Sequence, residues 1–366
     1  MGSKDLHIKP FDEATITKLS LFEDYTESWI PTFVMTPRIN QIHIFDLFAG
    51  PGYDKDGLAG SPIRILNKVK DQIGIFFQQK TRVIIHLNEF NKDKFESLVE
   101  HCGSFLSSNP KLKHILNMEY YSEDAADLLP KLLPVIKAHP SLVFFDQNGV
   151  KFISREYLEE MERLSTTDFL FFVSSSYFKR LGLTPEFQKV IPFTEEELAD
   201  TEWSNIHRVV VEKLRSYLKP NSKLRLYPFS IKKGANIYGL IFGASHPAAV
   251  NKFLTMCWKK NRLNGEANFD IHKDKEKAQA ELFGNNKLTK VEQFKIDLKD
   301  KIINGDIRNN FEALDYTFAT GNYYKYANNA LKELKKEGIV KYDGSTPGIN
   351  YSNVIKKRNR INYKLN

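Results

Sequence analysis

The chain has 366 residues, of which 42% are hydrophobic and 27% charged, with a formal net charge of +8. That apolar fraction excludes global disorder, the length predicts about two domains, and the basic excess suits a polyanionic partner without specifying one. Two cysteines, Cys102 and Cys257, exclude a disulfide framework and a self-contained Cys-rich zinc site. No apolar run approaches the roughly 20 residues of a membrane span, and the polar start is no signal peptide, so a soluble cytoplasmic protein with no membrane partner is expected.

In chain order, residues 12–33 read as an amphipathic helix, with Leu19, Phe22, Tyr25 and Trp29 at helical spacing and Pro31 near its end. A short apolar run then meets a glycine-rich turn over 42–52. Helices are predicted at 60–79, 91–106, 125–138 and 154–164, the third carrying two prolines that could kink it. Strands are predicted between them at 81–89, 114–124, 141–149 and 168–176. These strands are nearly continuous apolar runs, as in a parallel sheet covered on both faces. A helix at 204–218 precedes two strands around Lys-Lys-Gly-Ala-Asn within 223–245, a hairpin closing the sheet edge. Residues 259–285 are polar and charged and read as a linker. Three helices at 289–303, about 308–319 and 323–336, then two short strands, describe a winged helix-turn-helix module. The expected domains are therefore 1–258 and 286–366, the first an α/β Rossmann-like sheet.

Chemistry concentrates in Asp46-Leu-Phe-Ala-Gly-Pro-Gly52. A carboxylate at a strand end followed by Gly50 and Gly52 lets backbone approach a nucleotide-like ligand closely. The dinucleotide fingerprint fails, because Lys55 stands at the third-glycine position and the next strand-end acid, Glu89, lies far beyond the required spacing. Acids end successive strands instead: Asp46, Glu89, Asp124 and Asp146. Each has a plainer reading, a tight turn for Gly-Pro-Gly and a helix cap for Glu89 or Asp124, with Glu123 an equal candidate for the latter's place.

The set resembles the cofactor site of class I methyltransferases that use S-adenosyl-L-methionine (SAM). That resemblance implies a mostly parallel sheet with a C-terminal antiparallel hairpin. It places Asp46, Phe48, Gly50 and Gly52 around the amino-acid part of SAM, Glu89 on the ribose hydroxyls, and Asp124 near the adenine amine. Asp146 would face the substrate. The stretch IFDLFAGPGYDKDGLAGSPIRIL, the N-terminal helix with Lys18 and Trp29, and the strand end FFDQNG resemble more narrowly the three-Cys-motif partner protein (TcmP) family. Its members look like SAM-dependent methyltransferases named for a neighbouring three-cysteine-motif protein, which is the partner implied.

Amino-methyltransferases carry Asp/Asn-Pro-Pro-aromatic where this chain has Asp146-Gln147-Asn148-Gly149. Asp146 and Asn148 are the candidate catalytic residues, and Gln147 could read a polar substrate edge. Without the aromatic, stacking on a base would fall to Phe152 or Tyr177. Ser175 and Tyr177, after the fifth strand, face the same rim as candidate substrate contacts, although such serines more often satisfy a turn. Cys257 reads as a small buried hydrophobe. The histidines show no ligand spacing, and no metal is implied. Nine basic residues against three acidic ones follow Leu331. In a winged helix, Lys325 would lie near the start of the groove-entering helix, and Lys356, Lys357, Arg358 and Arg360 would form a wing touching phosphates. Winged helices also mediate protein contacts. The expectation is a SAM-dependent methyltransferase acting on a nucleic acid, or a SAM-binding, non-catalytic partner in a two-protein system.

Overall fold

The computed structural model describes residues 10–146, 152, 154–234, 236–281 and 288–366. It divides into two compact units, residues 1–246 and 247–366.

The first unit begins with helix α1 (Glu13–Val34), whose N-terminus is capped by the Asp12 side chain accepting from the Thr15 N–H at 2.9 Å. Its buried stripe runs through Ala14, Lys18, Phe22, Tyr25 and Trp29, one residue per turn. Strand and helix then alternate: β1 (Gln41–Asp46), α2 (Ser61–Asp71), α3 (Ile73–Gln79), β2 (Arg82–Asn88), α4 (Lys92–Ser108), β3 (Leu116–Tyr121), α5 (Ala125–Ala138), β4 (Ser141–Phe145), α6 (Arg155–Glu162) and β5 (Thr167–Ser174). The single helix expected at 60–79 is two, with Gln72 between them. Helix α5 runs unbroken through Pro130 and Pro134. Three short helices follow where the sequence suggested no element: α7 (Ser175–Leu181), α8 (Pro185–Val190) and α9 (Glu195–Ala199). Helix α10 (Ile206–Tyr217) leads into the hairpin β6 (Arg225–Lys233) and β7 (Asn236–Ala244).

Among the described residues, seven strands form one sheet in the order β3-β2-β1-β4-β5-β7-β6. Strands β1 to β5 pair in parallel, and β7 runs antiparallel to both β5 and β6. This is a Rossmann-like order with an antiparallel strand placed between the fifth and sixth positions. Side chains alternate across the pleat. Phe144 points to one face, where its ring stacks on Phe22 of α1 with centroids 4.2 Å apart. Phe145 points to the other and stacks on Phe171 at 4.4 Å, in a cluster with Leu129, Leu158 and Val210 from α5, α6 and α10. Truncating Phe144 to alanine would cost about 3–5 kcal/mol.

The second unit contains α11 (Pro247–Lys260), α12 (Asp274–Glu281), α13 (Lys290–Ile303), α14 (Asn310–Ala319), α15 (Tyr324–Lys336), and the two-stranded ladder β8 (Val340–Lys341) with β9 (Lys364–Leu365). The sequence-based boundary assigned α11 to the first domain, but the division falls before it, at His246 and Pro247. The stretch 259–285 is no bare linker either, since it carries α12 and fully buries Asn264 and Ala267. Helix α13 starts at a reciprocal cap between Thr289 and Glu292. Asn309, ahead of α14, bridges to Asn362 beside β9.

Candidate functional site

In a parallel sheet of this kind the crevice for a ligand opens at the carboxyl ends of the strands, where strand order reverses. Here that switch lies between β1 and β4, so residues leaving β1, β2, β3 and β4 share one rim. Asp46 ends β1, in register with Leu87 of β2 and Phe144 of β4. Glu89 follows β2, Asp124 follows β3, and Asp146 follows β4.

Asp46 is fully buried. Its Oδ1 accepts from the Phe48 N–H at 3.2 Å, while Oδ2 is buried without a hydrogen-bond partner. Burial pushes the carboxyl up to about 7. The Ser61 hydroxyl and the Phe48 N–H oppose that rise, the Asp146 charge adds to it, and Lys18 subtracts from it. A buried carboxylate oxygen with no donor costs free energy unless something supplies one.

The turn after β1 requires its glycines. Gly50 has φ 65° and Gly52 has φ 94°, in the left-handed region that disfavours side chains. A Cβ on Gly52 would lie 3.3 Å from Cβ of His101. His101, from α4, bonds the Pro51 carbonyl through Nδ1 at 2.6 Å, and the Gly60 N–H closes on the Gly52 carbonyl at 2.7 Å. The Gly50 N–H donates to Glu89 Oε2 at 3.1 Å, and Glu89 Oε1 accepts from the Asn91 N–H at 2.8 Å. Glu89 thus ties the glycine turn to the head of α4 while each oxygen keeps a free lone pair.

Asp124 spends one oxygen on the Ala126 N–H at 2.8 Å, capping α5. Its neighbour Glu123 pairs with Lys131. Asn88 holds both turns together, its amide donating to the carbonyls of Leu47 and Glu123 at 3.1 Å each. Phe90, directly after Glu89, is 70% exposed.

Asp146 forms an ion pair with Lys18, whose side chain is almost wholly buried and whose ammonium lies 4.6 Å from the centre of the Phe172 ring. The expected acceptor or base at the end of β4 is therefore neutralised from α1. A lysine on the buried stripe of a helix is the sequence signal for it. Gln147 and Asn148, expected beside it, lie outside the described residues.

Two expectations are corrected, at the end of β5 and after β4. Ser175 does not face the rim: it is fully buried, and its hydroxyl lies 3.4 Å from Nδ1 of His207, whose Nε2 bonds Ser230 at 2.7 Å. Phe152 is a core residue packed against Phe48, Phe145 and Tyr157, so it cannot stack on a base. Tyr177 is half-buried against the same cluster, with the Arg180 guanidinium 5.5 Å from its ring. Cys257 is buried, which pushes its thiol well up and makes it inert, in line with the sequence reading.

In the second unit, Lys325 lies near the start of α15, 5.6 Å from the Tyr323 ring. Lys356 ends one π-helical turn, and Lys357, Arg358 and Arg360 follow it in the connection between β8 and β9. None of these four cations has an ion-pair partner among the described residues, whereas Lys295 and Lys299 of α13 both engage Glu333 of α15.

No family model matches the chain, and no curated protein matches it. Solved structures of methyltransferases do resemble it loosely. The O-methyltransferase TomG of Streptomyces achromogenes, in complex with SAM, is 12% identical over 65% of this chain and 92% of its own, with a TM-score of 0.32. Trm1 of Pyrococcus horikoshii, with SAM, is 12% identical over 67% and 59%, with a TM-score of 0.31. The DszA carbon methyltransferase is 11% identical over 64% and 55%, with a TM-score of 0.35. Likeness at this level carries nothing about this chain's ligand or reaction.

Proposed function

We propose that the first unit binds SAM at the rim of β1 and β2 and transfers its methyl group to a nucleic acid, which the basic second unit recruits. The observation that carries this reading is the fully buried Asp46, with an unpartnered oxygen beside a left-handed glycine turn. Such a group needs a donor or a cation, and a cofactor with a cationic amino-acid end fits it. Gly50 and Gly52 would line the approach to that end, Glu89 has lone pairs for two ribose hydroxyls, and Phe90 offers an exposed aromatic face to a purine. Asp124 would sit near the adenine, sharing its carboxylate with the helix cap.

When bound, SAM supplies an electrophilic methyl group. The chain's own contribution is to exclude water and orient the acceptor, with Asp146 accepting a proton or hydrogen bond from it and Lys18 holding that carboxylate in place. The second unit reads as containing a winged helix, from helices α13 to α15, the ladder β8–β9 and the Asn309–Asn362 bridge. Its unpaired Lys356, Lys357, Arg358 and Arg360 would contact phosphates.

The Lys18–Asp146 pair also favours a second reading, in which the chain binds SAM as the non-catalytic partner of a three-Cys-motif protein. There the engaged Asp146 has no acceptor to serve. Calorimetry of the full chain with SAM and with its demethylated product tests what the two readings share, and absence of binding by both ligands sinks both. Labelled-methyl transfer to cellular RNA, DNA and protein separates them. The enzyme predicts incorporation into nucleic acid that is lost in Asp146→Ala.

A further inference from the structure

At the opposite end of the sheet lies an open pocket of about 270 Å³, lined by Glu162, Arg163, Lys219, Ser222, Lys223 and Ser245 among others. Its placement follows from topology. Residues 163–166 precede β5, Lys223 precedes β6, and Ser245 follows β7, which runs antiparallel to β5 with Ala244 opposite Asp168. The pocket therefore opens at the amino ends of the parallel strands, whereas Asp46, Glu89 and Asp146 stand at the carboxyl ends. A ligand here cannot reach the rim described above.

Three features give the pocket its chemistry. Neither Lys219 nor Lys223 has an ion-pair partner among the described residues. Ser245 Oγ is buried without a hydrogen-bond partner. Ser222 accepts from the Leu224 N–H at 3.2 Å, which fixes the turn and leaves its hydroxyl proton to donate. Two charges oppose each other at the edge: Arg163 is occupied by Glu160 at 2.6 Å, and Glu162 accepts from the Lys219 N–H at 3.2 Å. The volume falls below the roughly 300–1,000 Å³ of pockets for larger organic ligands. Two ammonium groups with two hydroxyl donors suit a compact tetrahedral oxyanion.

We propose that this pocket binds a phosphoryl group, between the Lys219 and Lys223 ammonium groups and the Ser222 and Ser245 hydroxyls. The inference is independent of the methyl donor. Its source is either a small phosphorylated molecule or the backbone of a nucleic acid, and these share the same contacts.

Pyrophosphate titrated into the full chain at constant ionic strength, with chloride as the balancing anion, tests the site. The paired variant Lys219→Met/Lys223→Met should weaken binding about tenfold or more, and Ser245→Ala about threefold. Glu162→Gln should tighten it about two- to threefold by removing the one uncompensated acid at the edge. Replacing Lys356, Lys357, Arg358 and Arg360 with alanine should leave it unchanged. Absence of binding, indifference to the paired lysine variant, or loss in the tail variant would overturn the proposal. Because both lysines are exposed, their variant keeps the test valid even if Ser245→Ala perturbs folding. Within the tail variant, a short single-stranded RNA that competes with pyrophosphate assigns the site to backbone phosphate. An RNA that does not compete assigns it to small phosphoryl ligands.

Discussion

The two units differ most in charge. Residues 247–366 hold 23 basic and 14 acidic residues, leaving 30 against 31 in residues 1–246, so the second unit carries more than the whole excess of the chain. In the first unit the notable charge is a buried acid with one oxygen lacking a partner, Asp46; in the second it is a run of exposed cations lacking ion-pair partners among the described residues. Buried and exposed unpaired groups teach different things. Desolvation makes the first costly to leave unpaired, which selects one small, well-placed ligand. The second retains its hydration and acts over a Debye length, which selects charge density rather than shape.

The largest effects should come from breaking the buried end of this comparison. Gly52→Ala forces a left-handed backbone on a residue whose Cβ meets His101, and Asp46→Asn removes the charge isosterically. Each should weaken SAM binding about 100-fold, read by calorimetry, while RNA binding stays within about twofold of the parent. Next comes the exposed end. Replacing Lys356, Lys357, Arg358 and Arg360 with alanine should weaken RNA binding about tenfold or more. It should also lower the slope of log affinity against log salt by about 3, four contacts at about 0.7 each for a single strand. SAM affinity should not move. An unchanged salt slope would place the polyanion site elsewhere.

How legible each unit was follows from the same physics. Strands β1 to β5 stood out because both of their faces are covered, which leaves an apolar run that an acid or glycine must end. The acids Asp46, Glu89 and Asp146 could be placed on one rim for that reason. What the sequence could not supply were contacts between distant segments: Lys18 with Asp146, 128 residues apart, or Asn88 reaching the turns after β1 and β3. Ser175 was misplaced because a strand end and a buried helix start share the same serine-rich pattern. Helices α7 to α9 escaped because each has seven residues or fewer, too short to show a period. The stretch 259–285 looked like a linker because its charge hid a few buried anchors, Asn264 and Ala267 among them.

A smaller effect should come from Lys18. Lys18→Met leaves the Asp146 carboxylate, about a quarter exposed, without its cation. Removing one member of a buried pair costs about 3–5 kcal/mol, and the partial exposure of Asp146 lowers the expected loss to about 1–3 kcal/mol in denaturant unfolding. A Lys18→Met/Asp146→Leu double variant should recover most of it, which is the sign of coupling between the two side chains. A double variant no better than the single would mean that Lys18 acts through packing along its stem.

The smallest effect is in pH dependence, and its sign separates a buried carboxyl on β1 from two buried histidines on β1 and β2. Burial raises the folded Asp46 carboxyl to about 7, above its ordinary 3.8, so its contribution to stability is greatest at low pH and is lost as pH rises through about 7. Burial lowers His43 to about 4 and His86 to about 3, each aided by a neighbouring histidine, so both stay neutral when folded. Their contribution is present above about 6.5 and is lost as pH falls below it, because the unfolded chain takes up those protons first. Between about pH 6 and 7.5 the two trends oppose. Over that window the Asp46 contribution changes by about 1 kcal/mol and those of the two histidines together by a similar amount, so the parent should be nearly flat. Asp46→Asn removes one trend only. Its stability should fall more steeply than the parent's as pH drops from 7.5 to 6, and parallel curves for the two would show that Asp46 is ionised throughout and already has a partner in the free protein.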